Sequence, residues 1–145
     1  VRAVVDETIT ETMGNTGMVL TFALSYGGRQ EITAMAREVA RRVAAGQLAA
    51  DEIDEASVAA LMPSAFLPDP DLVIRTSGEC RISNFFLWQA AYSEIDFEAK
   101  AWPDFHIRDL HRIIETYSAR ERGSAARASS SGPVKRLWRT VIDFD

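Results

Sequence analysis

The sequence has few of the residues from which metal and redox sites are built. It contains one cysteine, Cys80, and two histidines, His106 and His111, among 145 residues. A single cysteine cannot form an internal disulfide, and the histidines have no cysteine or histidine companions at the spacing of a zinc site. The composition therefore excludes a disulfide framework and argues against structural zinc.

Long apolar runs and an excess of positive charge are also missing. No stretch approaches the roughly 18 apolar residues that a membrane-spanning helix needs, and the first residues, VRAVVDETIT, include neither a basic leader nor an apolar core. Lys and Arg total 16 against 21 Asp and Glu, a formal net charge of -5. Broad binding to nucleic acid requires a basic face that displaces counterions. We therefore predict a soluble, cytoplasmic protein with no nucleic-acid partner, in which local arginines hold any bound anion.

The patterns that are present alternate between helix and strand. The 47% hydrophobic content is enough for the core of one ordinary domain. Helical patterns occupy residues 3–13, 28–45, 51–62, 83–94 and 107–122, and strand patterns occupy residues 18–24, 71–75 and 95–97. This order predicts an α/β fold with a mostly parallel central sheet flanked by helices. Ligand sites in such folds lie beyond the carboxyl ends of the strands.

Two segments carry more specific expectations. Residues 83–94 are apolar nearly all round, which predicts an internal helix with Ser83 as its N-cap. Residues 124–145 change to small and polar residues and then to a basic, aromatic end, which predicts a flexible tail. A docking segment or a strand at 134–144 is the alternative.

The loop after the 71–75 strand is the strongest candidate site. Arg75 leaves the strand, Arg81 follows six residues later, and Gly78 and Ser83 offer a sharp turn and a hydroxyl group. Each hydrogen bond to a charged group contributes about 1.5 to 3 kcal/mol, and arginine can hold two oxygens at once. The loop has the composition of an oxyanion cradle suited to a diphosphate. The alternative is that these arginines pair with Glu79 and other surface carboxylates.

The segment that follows offers a metal ligand and an apolar wall. Glu94 ends the predicted helix and could bind Mg²⁺, which prefers one or two carboxylates together with phosphate oxygens. The alternative is an ordinary surface glutamate at a helix end. The aromatic and aliphatic side chains of residues 85–92 could line a hydrocarbon pocket or simply form the core.

Several of these motifs together resemble one enzyme family. The block DLVIRTSGECRISNFFLWQAAYSEIDF, followed by WPDF and preceded by GNTG and SYGGRQEI, resembles the C-terminal half of the cis-prenyltransferases, the undecaprenyl diphosphate synthase or isoprenyl transferase family. The resemblance covers residues 1–123, which we expect to be the C-terminal portion of such a domain, incomplete relative to the family, with 124–145 unmatched. It implies a transferase of isoprenoid biosynthesis that condenses isopentenyl diphosphate with an allylic diphosphate such as farnesyl diphosphate, with Z stereochemistry and Mg²⁺. It also implies a homodimer and peripheral membrane association through the lipid product.

The resemblance implies a role for particular residues. Arg75, Arg81 and Ser83 would bind the diphosphate of isopentenyl diphosphate, Glu94 would bind magnesium, and Arg75, Arg81 and Glu94 would form the catalytic set. Ser25 stands where the family has asparagine in its Asn-Tyr-Gly-Gly-Arg motif.

The family's aspartate loop, of the Asp-Gly-Asn-Gly-Arg-Trp type, does not occur in this sequence. The chain alone is therefore expected to be inactive or nearly so. The alternative function is a non-catalytic binding subunit that completes the active site of a partner prenyltransferase chain.

Overall fold

The computed structural model describes residues 2–120 and 140–143. Within these ranges the α-helices and strands are, in chain order, α1 (Arg2–Thr12), α2 (Gly28–Ala44), α3 (Glu55–Ala60), β1 (Leu72–Arg75), β2 (Glu94–Phe97), α4 (Ile107–Ala119) and β3 (Thr140–Asp143). Short 3₁₀ turns occupy Ala50–Glu52 and Trp102–Asp104. No described helix combines the length and apolar character needed to cross a membrane.

The sheet is parallel and has the strand order β2-β1-β3. Its central strand β1 is buried at all four positions, as expected for an apolar strand covered on both faces. Leu72 lies opposite Glu94 on β2, and Arg75 lies opposite Phe97. The predicted α/β fold with a mostly parallel sheet is confirmed, and β1 ends on the arginine singled out above.

The main core lies between β1 and α4. Leu72 and Ile74 from the strand meet Ile113 and Tyr117 from the helix, with Phe105 and Leu110 packed against this cluster. These helical positions are spaced three to four residues apart, as expected for a helix that packs along one face. The start of α4 is fixed by Asp109, whose carboxylate accepts the backbone N–H of His106 at 2.9 Å.

Helix α2 begins and ends where the sequence indicates, but α3 covers only Glu55–Ala60 of the helix predicted at 51–62, and Ala50–Glu52 forms a separate 3₁₀ turn. The cap residue of α3 is Asp54, whose side chain accepts the backbone N–H of Ser57 at 2.7 Å. Helix α2 is followed by Gly46 at φ +67°, a left-handed conformation that glycine adopts without steric cost.

The internal helix predicted at 83–94 is wrong. The chain forms successive turns from Ser83 to Tyr92, and Glu94 begins β2 instead of ending a helix. Ser83, Asn84 and Phe86 have φ values of 48°, 66° and 42°, so Ser83 is not an N-cap and a right-handed helix cannot pass through these positions. Two causes oppose a helix here. Aromatic residues favour helices only weakly, and Asn84 forms hydrogen bonds with the start of α2, described below, instead of within a helix of its own.

The strand predicted at 18–24 is also wrong for this structure. These residues form neither strand nor helix, and all of them are exposed. A strand requires a neighbour for its backbone hydrogen bonds, and both edges of β1 are paired with other strands. The predicted flexible tail at 124–145 lies largely outside the described residues; within it, residues 140–143 form β3.

Candidate active site

The site begins at the carboxyl end of β1. Arg75 and Thr76 are buried there, with 2% and 3% of their surfaces exposed. The next turn is fixed to the segment after β2: the backbone N–H of Ser77 donates to the carbonyl of Lys100 at 2.7 Å, and that of Gly78 donates to Glu98 at 2.9 Å. Ser77 and Gly78 have φ of 71° and 69°, so the chain reverses sharply after the strand.

The two arginines of the predicted cradle line one narrow crevice. Its other lining residues are Val73, Ile82, Phe85, Ala90, Ile95 and Phe97. Ser83 lies beside it, because an Nη of Arg75 donates to the Ser83 hydroxyl at 3.4 Å, a long hydrogen bond. The structure therefore brings Arg75, Arg81 and Ser83 together at an opening with charged edges and apolar walls.

Arg81 forms an ion pair with Glu79, as the alternative interpretation of this loop predicted. Its guanidinium lies 2.8 Å from a carboxylate oxygen of Glu79, and 67% of its side chain is exposed. Exposed ion pairs contribute about 0 to 1 kcal/mol. The guanidinium can therefore leave Glu79 at little cost when a more highly charged anion enters the crevice.

Glu94 lies at the other end of the sheet. Glu94 pairs with Leu72, whereas Arg75 pairs with Phe97, three residues further along β2. At about 3.3 Å per residue, Glu94 is therefore about 10 Å along the strand from the position of Arg75. Its carboxylate accepts a hydrogen bond from Arg120 at 2.8 Å, and the same guanidinium lies 3.7 Å from Asp96. The structure does not bring Glu94 to the crevice that Arg75 and Arg81 line.

A magnesium site is not formed by these side chains alone. Among the described residues no group of three or more His, Cys, Asp or Glu side chains is arranged to hold a metal ion. Glu94 and Asp96 are two carboxylates on β2, and Arg120 engages both. Any Mg²⁺ ligation by this pair requires Arg120 to move and further oxygens to be supplied by substrate or by other parts of the protein.

The loop before α2 is joined directly to the turns after the cradle. The backbone N–H of Gly28 donates to the carbonyl of Asn84 at 2.7 Å, and that of Arg29 donates to the Asn84 side-chain oxygen at 2.8 Å. A Cβ on Gly28 would lie 2.8 Å from a side-chain carbon of Leu87, so this approach requires glycine. Asn84 was missed from the sequence; an asparagine ahead of an apolar run, able to adopt positive φ, was the available signal.

Behind these loops lies a buried carboxylate that the sequence did not reveal. Glu31 is 5% exposed, and its two oxygens accept hydrogen bonds from the Ser64 backbone N–H at 2.8 Å, the Tyr26 hydroxyl at 2.5 Å and the Gln89 amide at 2.9 Å. Burial alone would raise the pKa of Glu31, but the hydrogen bonds from Ser64, Tyr26 and Gln89 outweigh it and lower that pKa. An ionised Glu31 therefore joins the start of α2 to two distant segments.

Tyr26 extends this connection into the apolar wall. Its ring meets Phe85 and Phe86 edge to face, with centroid distances of 5.5 Å and 5.3 Å. Burial and the nearby Glu31 carboxylate raise the pKa of the Tyr26 hydroxyl, so Tyr26 keeps its proton and donates a hydrogen bond to Glu31. Phe85 also lines the crevice, which links the buried carboxylate to the cradle by direct contacts.

These features define an α/β domain whose parallel sheet carries an arginine-edged, apolar crevice at its carboxyl end. Residues 1–124 match the Prenyltransf family model, described as undecaprenyl diphosphate synthase. The chain belongs to this family of prenyltransferases.

Individual relatives agree with this assignment. The chain is 51% identical over 122 residues to an isoprenyl transferase of Geobacter sulfurreducens. The matched region covers 84% of this chain and 50% of that protein. It is also 51% identical over 122 residues to an isoprenyl transferase of Chlorobaculum tepidum, covering 84% and 46%. The chain thus spans about half the length of the relatives it matches.

A solved structure has the same architecture. Lavandulyl diphosphate synthase from Lavandula x intermedia, crystallised with dimethylallyl diphosphate, superposes with a TM-score of 0.77 at 38% identity, over 84% of this chain and 52% of that one. The similarity supports both the parallel α/β fold and the incompleteness of the domain.

Proposed function

We propose that this chain carries the isopentenyl diphosphate site of a Z-type prenyltransferase, which condenses isopentenyl diphosphate with an allylic diphosphate such as farnesyl diphosphate. The observation that carries the proposal is the shared crevice of Arg75 and Arg81. A diphosphate presents several anionic oxygens, and two guanidinium groups with the Ser83 hydroxyl can each donate to them. The apolar wall suits the short hydrocarbon tail of the same molecule.

The proposed residues have distinct tasks. Arg75 is buried and fixed by the end of β1, so it sets the position of the diphosphate, whereas exposed Arg81 exchanges Glu79 for the ligand. Ile82, Phe85 and Phe97 exclude water from the hydrocarbon tail. Exclusion of water protects the carbocation character that develops on the allylic group as its diphosphate departs.

Changing Arg81 to alanine is expected to weaken the binding of isopentenyl diphosphate about tenfold, since hydrogen bonds to a charged group contribute about 1.5 to 3 kcal/mol and a tenfold change in affinity is about 1.4 kcal/mol. Isothermal titration calorimetry measures the change.

Arg41→Ala is the matched control. Arg41 is also exposed, at 73%, and also pairs with a nearby glutamate, Glu38, at 2.5 Å, but it lies on α2 away from the crevice. The affinity of Arg41→Ala for isopentenyl diphosphate should equal that of the unaltered chain. An equal loss of affinity in both variants would mean that Arg81 acts only through the net charge of the protein.

Magnesium enters the proposal through Glu94. When bound, Mg²⁺ neutralises charge on a diphosphate. We propose Glu94 as a ligand that becomes available when Arg120 releases it.

Arg120→Gln is expected to raise the affinity for Mg²⁺, measured by calorimetry in the presence of inorganic pyrophosphate. The reason is that the substitution removes the guanidinium charge that pairs with Glu94 and leaves that carboxylate open to the ion.

Arg112→Gln removes the partner of another carboxylate, Glu98, and is the control for this experiment. Adding Glu94→Gln to the Arg120 variant should abolish the gain. A gain that survives loss of the Glu94 carboxylate, or that Arg112→Gln reproduces, rules out Glu94 as the ligand.

The alternative function is a non-catalytic subunit that completes the active site of a partner prenyltransferase chain. The observation that favours it is the row of exposed apolar side chains at 18–24, which a partner could cover. Turnover of radiolabelled isopentenyl diphosphate by this chain alone would favour the enzyme, and turnover only after addition of an active-site partner would favour the subunit. The proposal further includes a homodimer in the cytoplasm with peripheral membrane association through a lipid product.

A further inference from the structure

The third strand of the sheet comes from outside the family part of the chain. Thr140–Asp143 pairs in parallel with β1, with Thr140 opposite Leu72 and Asp143 opposite Arg75. The family model matches residues 1–124 only. One edge of the strand that leads into the active site is therefore covered by a segment that the family match does not include.

A second segment of the chain has the character of a strand for this same edge. Residues 18–24, MVLTFAL, are rich in strand-favouring and apolar residues, and they lie within the family match. Their large apolar side chains are exposed: Met18 85%, Val19 86%, Leu20 66%, Phe22 69% and Leu24 74%. Exposure of so many adjacent apolar groups indicates a surface that is normally covered.

The position of the following loop indicates which edge this segment fits. Residues 18–24 lead into Gly27 and Gly28, and Gly28 is hydrogen-bonded to Asn84 in the turns that follow the β1 loop. Loops that follow neighbouring parallel strands meet at the same rim of the sheet. A strand at 18–24, parallel to β1, would therefore place Gly28 at the carboxyl end of the sheet, beside the turns that contain Asn84. Because β2 covers one edge of β1, the remaining edge is the one that β3 occupies.

We propose that this edge of β1 is a strand-docking site with two competing occupants from the same chain. Residues 18–24 bind it in the completed prenyltransferase domain, and Thr140–Asp143 binds it as an exchangeable cap in the structure described here. Either segment can hydrogen-bond to the backbone groups on this edge of β1. Replacing one segment with the other therefore keeps the backbone hydrogen bonds of β1 and changes only which side chains are covered. The cap thereby holds residues 18–24 out of the sheet.

Hydrogen exchange of the full 145-residue chain, followed by mass spectrometry, tests the exchange. Adjacent residues of a strand direct their N–H groups to opposite sides, so one of the two variants Val141→Pro and Ile142→Pro removes a donor from the β1–β3 ladder. In that variant, exchange at residues 19–24 is expected to slow at least tenfold while β1 stays protected. Ser130→Pro adds the same residue outside β3 and should leave both segments as they are in the unaltered chain.

A further substitution makes the test specific for the proposed occupant. Leu20→Asp should not alter β1 exchange in the unaltered chain, because Leu20 is exposed there. Combined with the effective proline variant, it should remove the new protection of residues 19–24. The proposal is overturned if either proline variant accelerates exchange of β1 without protecting residues 19–24, or if neither variant changes either segment.

Discussion

Replacing Glu31 with alanine is expected to lower the free energy of unfolding by about 3 kcal/mol. Three buried donors lose their acceptor in this variant, the backbone N–H of Ser64, the hydroxyl of Tyr26 and the amide of Gln89. Each buried donor left without a partner costs about 1 to 3 kcal/mol, and the hydrogen bond that Gln89 also makes to Ser64 reduces the total. Urea denaturation followed by tryptophan fluorescence measures the loss.

Glu38→Ala is the control on the same helix. Glu38 pairs with two exposed arginines, Arg41 and Arg42, and its loss should lower the free energy of unfolding far less than the loss of Glu31. Equal, small losses in the two variants would show that the buried carboxylate does not join the three segments.

The pH dependence of stability gives an independent check on Glu31. Its pKa is lower in the folded chain than in the unfolded chain, where a glutamate titrates near about 4.3. The stabilisation from its ionised form is therefore fully present above about pH 4.3 and is lost as pH falls through the folded pKa. The difference in stability between the unaltered chain and Glu31→Gln should be constant near neutral pH and should shrink in acid.

Changing Arg75 to glutamine is expected to weaken isopentenyl diphosphate binding about 100-fold. Arg75 is almost wholly buried and lines the crevice, so water cannot readily replace its guanidinium group. Loss of two hydrogen bonds from a charged donor, at about 1.5 kcal/mol each, corresponds to about 3 kcal/mol, or roughly two decades in affinity. Calorimetric titration provides the affinity, and a far-ultraviolet circular dichroism spectrum confirms that the variant is folded.

Two further variants separate geometry from charge at this position. Arg75→Lys keeps the charge but not the planar pair of donors, and its affinity should fall between those of the unaltered chain and Arg75→Gln. Arg108→Gln removes an exposed arginine of α4 and should bind normally. Full affinity in Arg75→Gln would mean that the buried guanidinium serves the fold and not the ligand.

The parts of the fold predicted correctly are those with local causes. An unbroken apolar run indicates β1, and apolar spacing of three and four indicates α2 and α4, because burial on one face or two requires these patterns. Residues 18–24 have an equally clear strand pattern and form none here, because strand formation depends on a neighbour elsewhere in the chain. The turns at 83–92 were not predicted, because serine and phenylalanine rarely adopt positive φ and nothing in the apolar sequence indicates that they do so here.

The candidate site shows the same division. Arg75, Arg81 and Ser83 lie within nine residues, so the loop after β1 brings them together without information from elsewhere. Glu94 was expected at the end of a helix, but it begins β2 and so lies at the opposite end of the sheet from the cradle. Glu31 and Gln89 are 58 positions apart, and neither residue indicates the other in the sequence.

The hydrogen bonds from Gly28 and Arg29 to Asn84 bear on the energetics of ligand capture. They tie one wall of the crevice to a helix before any ligand arrives, so little loop ordering is left for the binding step. Preorganisation of this kind raises affinity by reducing the entropy that association would otherwise cost. A small ligand with few carbon atoms gains most from it, because it has little surface with which to offset the ordering of a loop.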